Sequence, residues 1–159
     1  GDNEVGPILL RMATLYERHS RFADQRVVLD QFVAKLPNSP LLPEVHTDLV
    51  EAHDQLRQKD QSVARLEQYS TLCQANGNWV KAQAQTGADV KKVAQDCLAS
   101  LNETALKVAK KWLRAWKKLP NDTSYADASE KAFEIYLRTP ADSEDALQSR
   151  YSYAELLFA

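Results

Sequence analysis

The chain has 159 residues, 44% hydrophobic and 26% charged, with a formal net charge of −2; this excludes a disordered chain and an overall basic nucleic-acid binder, and fits one soluble domain, 1–159, around a single core. No apolar run approaches the roughly 20 residues that span a bilayer. Gly and Pro number only four and six, and the abundance of Ala, Leu, Gln, Glu and Lys over Ile and Thr predicts an all-α fold.

Ile8, Leu9, Met12, Leu15 and Tyr16 recur at helical spacing and define the apolar stripe of a first helix, ended near Ser20. Val28, Leu29, Phe32, Val33 and Leu36 form a second stripe, which the three prolines of LPNSPLLP break by withholding backbone donors. Pro43 suits the first turn of a third helix, striped by Val45, Leu49, Val50 and Leu56. Asp60 is the expected cap of a fourth, carrying Val63, Leu66, Tyr69 and Cys73 up to the turn NGN at 76–78. A short helix around Trp79 to Gln85 follows. Then Val90, Val93, Ala94, Cys97, Leu101, Ala105, Val108, Trp112, Trp116 and Leu119 mark one long helix near 89–119, about 45 Å in length. Pro120 ends it. Tyr125 to Arg138 form another helix, and Asp142 or Ser143 caps the last, striped by Leu147, Tyr151, Ala154 and Leu157. The expected total is about seven helices.

The proline breaks superpose. NSPLLPEVHTDLVEA from Asn38 aligns with DSEDALQSRYSYAEL from Asp142, placing Ser39 on Ser143, Val50 on Ala154 and Glu51 on Glu155. Their offset is close to three units of ~34 residues, a helical-hairpin period in which each pair buries its apolar face only by stacking on its neighbours.

The stretches VVLDQFVAKLPNSPLLPEV and ASEKAFEIYLRTPADSEDALQSRYSYAELLF resemble the degenerate tetratricopeptide repeats of Gram-negative cell-envelope proteins. More narrowly, NETALKVAKKWLRAWKK with YADASEKAFEIYLRTPADSEDALQSRYSYAELLF is similar to repeat proteins of myxobacteria and relatives, including lipoproteins of the gliding-motility apparatus. The resemblance implies a right-handed superhelix of antiparallel helix pairs that binds other proteins, in a periplasmic or outer-membrane-associated assembly. On repeat logic YSYAELLFA is a first helix without its second, the mark of a segment of a longer array with Tyr153, Leu156 or Phe158 left exposed; a true C-terminal cap is the alternative. The opening GDNEVGP lacks the charged and apolar regions of a signal peptide, and its leading Gly is compatible with a tag scar and a trimmed targeting segment.

Chemistry has little foothold. His46 and His53 lie about 10.5 Å apart along one helix, too far to share one ion unaided, and read as partly exposed or groove residues; His19 adds no motif. No HExxH, phosphate loop, GxSxG or CxxC occurs. The expectation is a protein without catalytic residues, metal or cofactor. Cys73 and Cys97 permit one disulfide, if their helices pack antiparallel, or two buried thiols.

The run KVAKKWLRAWKK places Lys107, Lys110, Lys111, Arg114, Lys117 and Lys118 opposite Val108, Trp112 and Leu119. This face is either a patch for anionic lipid headgroups or an acidic protein, or a solvated face whose cations complement the helix dipole. Two functions follow. The first is a scaffold whose concave surface receives a partner segment, with Arg11, His46, His53, Arg57, Lys110, Lys111, Arg114, Lys117, Arg150 and Tyr153 as candidate contacts. The second is a peripheral anion-binding or lipid-binding module acting through 107–118, distinguished by steeper loss of binding with salt.

Overall fold

The computed structural model describes the backbone of residues 2–138 and 144–158, and the side chains of residues 4–138 and 148–158. Eight helices lie among the described residues: α1 (Asp2–Arg18), α2 (Phe22–Lys35), α3 (Leu42–Gln55), α4 (Lys59–Leu72), α5 (Asn78–Ala84), α6 (Val90–Lys118), α7 (Thr123–Leu137) and α8 (Glu144–Leu157). No strand occurs among them. The fold is all-α.

Local chemistry sets the boundaries. The Asp89 carboxylate accepts from the backbone N–H groups of Lys91 and Lys92, and that of Asp122 from Ser124, so α6 and α7 each start on a side-chain cap. Asp60 does not cap α4. Gln58 holds the N-cap, and Asp60 sits in the first turn, where its charge still favours the helix N-terminus.

Helices α1 and α3 end in the same way. Arg21 N–H donates to Tyr16 O at 2.8 Å and Ser20 N–H to Glu17 O at 2.9 Å; Gln58 repeats this to His53 O at 2.9 Å and Arg57 to Asp54 O at 3.1 Å. Ser20 and Arg57 are left-handed, with φ of 56° and 60°. Both ends are therefore Schellman closures that reverse the chain into the next helix. These equivalent turns lie 37 residues apart by their numbering, a wider spacing than the ~34 expected from the sequence. Of the aligned proline breaks, Asp142 and Ser143 lie outside the described residues.

Helix α1 packs on α2, α3 on α4 and α6 on α7, and like members of successive pairs run in the same direction. Thr47 meets Thr104 at 3.0 Å and the Asp54 carbonyl meets Lys111 at 3.0 Å, so α3 and α6 are parallel. Lys59 lies over the Tyr125 ring and Glu67 pairs with Arg138 at 2.9 Å, so α4 and α7 are parallel too. The chain spends α5 to return from one pair to the next. There Trp79 Nε1 donates to Ser39 O at 2.8 Å and Gln83 Nε2 to Asn38 O at 2.9 Å, securing the proline-rich loop against the array.

Between α4 and α6, which run antiparallel, Cys73 and Cys97 form a disulfide with a Cα–Cα distance of 5.3 Å. One turn away, Tyr69 is fully buried, and its hydroxyl accepts from Thr47 at 3.2 Å and donates to Ser100 at 2.6 Å. Leu29, Phe32, Leu49, Leu66, Leu101, Trp112, Phe133 and Ile135 fill one continuous core along these helices.

Two expected stripes are rotated. On α1, Leu9 and Ala13 are buried while Ile8, Met12 and Leu15 are exposed, because α1 packs chiefly on α2 and has one covered side. On α8, Tyr151 and Leu157 are exposed, and the side toward α7 carries Ser149, Tyr153 and Leu156. Phe158 is exposed, whereas Tyr153 and Leu156 are half-buried. Leu119 is also exposed, since α6 stops at Lys118.

Two stability measurements follow. Ser20→Gly relieves a left-handed non-glycine residue and should raise stability by about 1 kcal/mol in urea denaturation. The disulfide closes a loop of sequence separation 24, so a Cys73→Ala, Cys97→Ala double variant should unfold with a loss of about 3 kcal/mol.

Candidate partner-binding groove

The polar side of α3 is acidic. Glu44, Asp48 and Glu51 share one face of α3, each a residue before buried Val45, Leu49 and Ala52 and so about 100° around the helix from them. Glu17 approaches from α1, and Glu103 with Lys107 from α6. These helices are the first members of their pairs, so the groove between them collects charges that are far apart in sequence.

At one end of this groove a cavity of about 230 Å³ opens between Glu17 of α1, Phe22 and Gln25 of α2, Glu51, Ala52, Asp54 and Gln55 of α3, and Lys111 of α6. Among the described residues, no ion pair holds Glu17, Asp48 or Glu51. Gln25 is buried, and its Oε1 has no hydrogen-bond partner. An acceptor left in this way costs about 1–3 kcal/mol of desolvation unless a donor reaches it.

Electrostatics follow from this crowding. Burial first, then the carboxyls of Glu51, Glu17 and Glu44, push Asp48 up to about 7. Burial also raises Glu51, which Lys107 partly offsets while Glu17, Asp54 and Glu103 add to the rise. Asp54 is raised by burial against the pull of Ser62, Lys111 and Trp112, whose hydroxyl, ammonium and indole N–H surround it. Lys111 Nζ is held by Asp54 O and lies 5.3 Å from the centre of the Trp112 ring.

The histidines are not groove residues. His46 is buried among α2, α3 and α4, stacked on Tyr69 with ring centroids 5.6 Å apart, and its Nδ1 has no partner. Burial and the Arg65 guanidinium lower it to about 4, against the opposite pull of Asp30. His53 is buried too, with Nδ1 2.8 Å from Gln58 Oε1. Both expectations of groove contact are corrected: on α3 the two rings fall on the side that packs against neighbouring helices. Among the described residues, no three His, Cys, Asp or Glu side chains form a group suited to a metal ion.

The expected basic face is divided. Lys107 lies 3.8 Å from Glu103, Lys111 turns into the cavity, and Lys117 lies 3.5 Å from Glu155 of α8. Lys110, Arg114 and Lys118 are exposed. Arg57 sits at the α3 turn over the Trp112 ring, at 5.6 Å. Arg11 and Arg150 are exposed on α1 and α8, and Tyr153 donates to Glu134 at 3.0 Å. Of the ten expected contacts, only Lys111 lines the cavity. The sequence reading missed Glu17, Asp48 and Glu51; the spacing of Glu44, Asp48 and Glu51 in PEVHTDLVEAH was the signal available for two of them.

No known protein family model, curated protein or solved structure matches the chain significantly.

His46 and Asp48 make opposite contributions to stability. His46 titrates lower when folded, so its stability is present above the unfolded value near 6.5 and lost as pH falls to about 4. Its full cost is about 3 kcal/mol. Asp48 titrates higher when folded, so its stability is present below the unfolded value of 3.8 and lost as pH rises to about 7. The two nearly offset one another between pH 4 and 7. His46→Phe keeps the stack on Tyr69 and should become more stable on acidification across this window, as urea midpoints will show, where the parent changes little.

Proposed function

We propose that the chain is a non-catalytic protein–protein interaction scaffold of tetratricopeptide-like helix pairs, and that a partner segment binds along the groove between α1, α3 and α6. The single observation that carries this reading is the set of carboxyls on that groove, Glu17, Asp48 and Glu51, which no ion pair among the described residues neutralises. A structural core gains nothing from such repulsion; a surface complementary to a cationic partner does. The parallel course of α3 with α6, and of α4 with α7, supports a stack of hairpins able to present a continuous face.

An envelope setting, periplasmic or outer-membrane-associated, belongs to the same proposal, within an assembly such as a motility machine. The Cys73–Cys97 disulfide supports it, because such bonds persist in oxidising compartments. No helix among the described residues is long and apolar enough to cross a membrane.

Binding of anionic headgroups through 107–118 is the weaker reading, since Lys107, Lys111 and Lys117 already have partners within the chain. Both faces are charged, so ionic strength alone no longer separates the two readings. The sign of the charge does. In capture from Gram-negative envelope extracts, Asp48→Lys with Glu51→Lys should reduce retention of the partner at least about tenfold, a loss of about 1.4 kcal/mol. Lys110→Glu with Arg114→Glu should leave it unchanged; the reverse pattern sinks the groove reading in favour of the basic face.

A further inference from the structure

Between the proline-rich loop, α5 and the first turns of α6 lies a second cleft, of about 450 Å³, which shares no residue with the acidic cavity. Pro40, Pro43, Trp79 and Val93 give it apolar walls. Its volume falls within the ~300–1,000 Å³ of pockets that enclose a small molecule. Asp96, the charged residue of its lining, is paired with Lys92 at 2.9 Å, so charge does not select what enters. The frame is held from several sides. Trp79 Nε1 donates to Ser39 O at 2.8 Å, and Cys97, also in the lining, is tied to Cys73 of α4.

One buried polar group gives this apolar cleft a direction. Gln83 is only 4% exposed, and its Nε2 donates to Asn38 O at 2.9 Å and to Trp79 O at 3.3 Å. Both amide N–H groups are spent on carbonyls, which fixes the flip of the side chain and turns Oε1 away from them. That oxygen accepts no hydrogen bond within the chain. Unlike the Gln25 oxygen it keeps accessible surface, and Gln83 lines the cleft. We propose that the cleft binds a free, neutral aromatic small molecule that carries one N–H or O–H donor. The ring would lie against Trp79 and the two prolines, and its donor would meet Gln83 Oε1. A ring without a donor would strip water from that oxygen and leave it unpaired, so the site should discriminate on the donor as well as on shape.

The test uses two probes of one shape. The whole chain, labelled with ¹⁵N, is titrated with indole and with benzofuran, whose fused rings are the same but carry an oxygen in place of the N–H. Indole should shift the Gln83 side-chain amide and the Trp79 Nε1–H resonances saturably at millimolar concentration. Benzofuran should bind at least about fivefold more weakly, a difference of about 1 kcal/mol. A third titration, with N-acetyl-tryptophan methylamide, separates a free ligand from a partner's side chain, and it should bind more weakly than indole.

Two variants locate the binding. Ala88 lines the cleft from the loop ahead of the Asp89 cap, where it is half-buried, so Ala88→Phe should fold as the parent does and fill the space with its own ring, abolishing the saturable shifts. Gln83→Met removes the acceptor and should bring indole down to the level of benzofuran. Equal affinity for indole and benzofuran in the parent, no saturable shift at Gln83 and Trp79, or undiminished binding by Ala88→Phe would each overturn the site. Tighter binding of the tryptophan derivative than of indole would overturn the free ligand in favour of a partner's side chain. Indole against benzofuran is read on the parent chain, so that comparison holds even where Gln83→Met loosens the loop.

Discussion

The structure turns on the seam between α4 and α6. Tyr69, fully buried, would carry an unpaired hydroxyl in the core unless partners came to it, and from two other helices Thr47 arrives to donate and Ser100 to accept. Thr104 extends the network, bonded to Ser100 O at 2.9 Å and to Thr47 at 3.0 Å. Four hydroxyls from α3, α4 and α6 thus satisfy one another where an apolar core would be indifferent to register. One turn along α4 the disulfide fixes the same register covalently. A shift of α6 by one turn would orphan the hydroxyls and part the sulfurs, so these links set which residues of α3 and α6 face each other.

That register has a consequence for charge. With Thr47 opposite Thr104, residues one and two turns further bring Glu51 near Lys107 and Asp54 onto Lys111. One lysine moderates Glu51 and the other closes one wall of the cavity, yet both remain outnumbered by Glu17, Asp48, Glu51 and Asp54. The groove thus stays electronegative while the opposite side of α3 buries His46 in neutral form. A single helix carries both extremes because its two sides face different media: one packed interior and one solvated cleft between parallel helices. The cost of holding carboxyls together is tolerable only where water or a cationic partner can screen them.

Resemblance and geometry bear on different parts of the function. The likeness to degenerate tetratricopeptide repeats leads to the expectation of a binding face and an envelope setting. The helix pairs, their Schellman closures at Ser20 and Arg57, and the parallel course of α3 and α6 lead to an acidic groove as the place for it. The likeness was read with cationic contacts at Lys110, Arg114 and Arg150, and these residues lie exposed outside the cavity.

Helix positions were legible in the sequence because their causes are local. Proline breaks at 37–43 and at Pro120 and the long stripe from Val90 act within a turn or two of themselves, and α2, α3 and α6 lie where those signals place them. Periodicity also marked which residues are apolar, though not which side of an apolar helix is covered. On α1 and α8 the covered side depends on a single neighbour, so Ile8, Met12, Leu15 and Tyr151 are exposed although they lie on good stripes. The groove was the least legible feature. Glu17, Gln25, Glu51 and Lys111 span 94 positions by their numbering, and no local pattern joins them. Only the docking of successive helix pairs, fixed by hydroxyls and a disulfide between α4 and α6, brings them to one cavity.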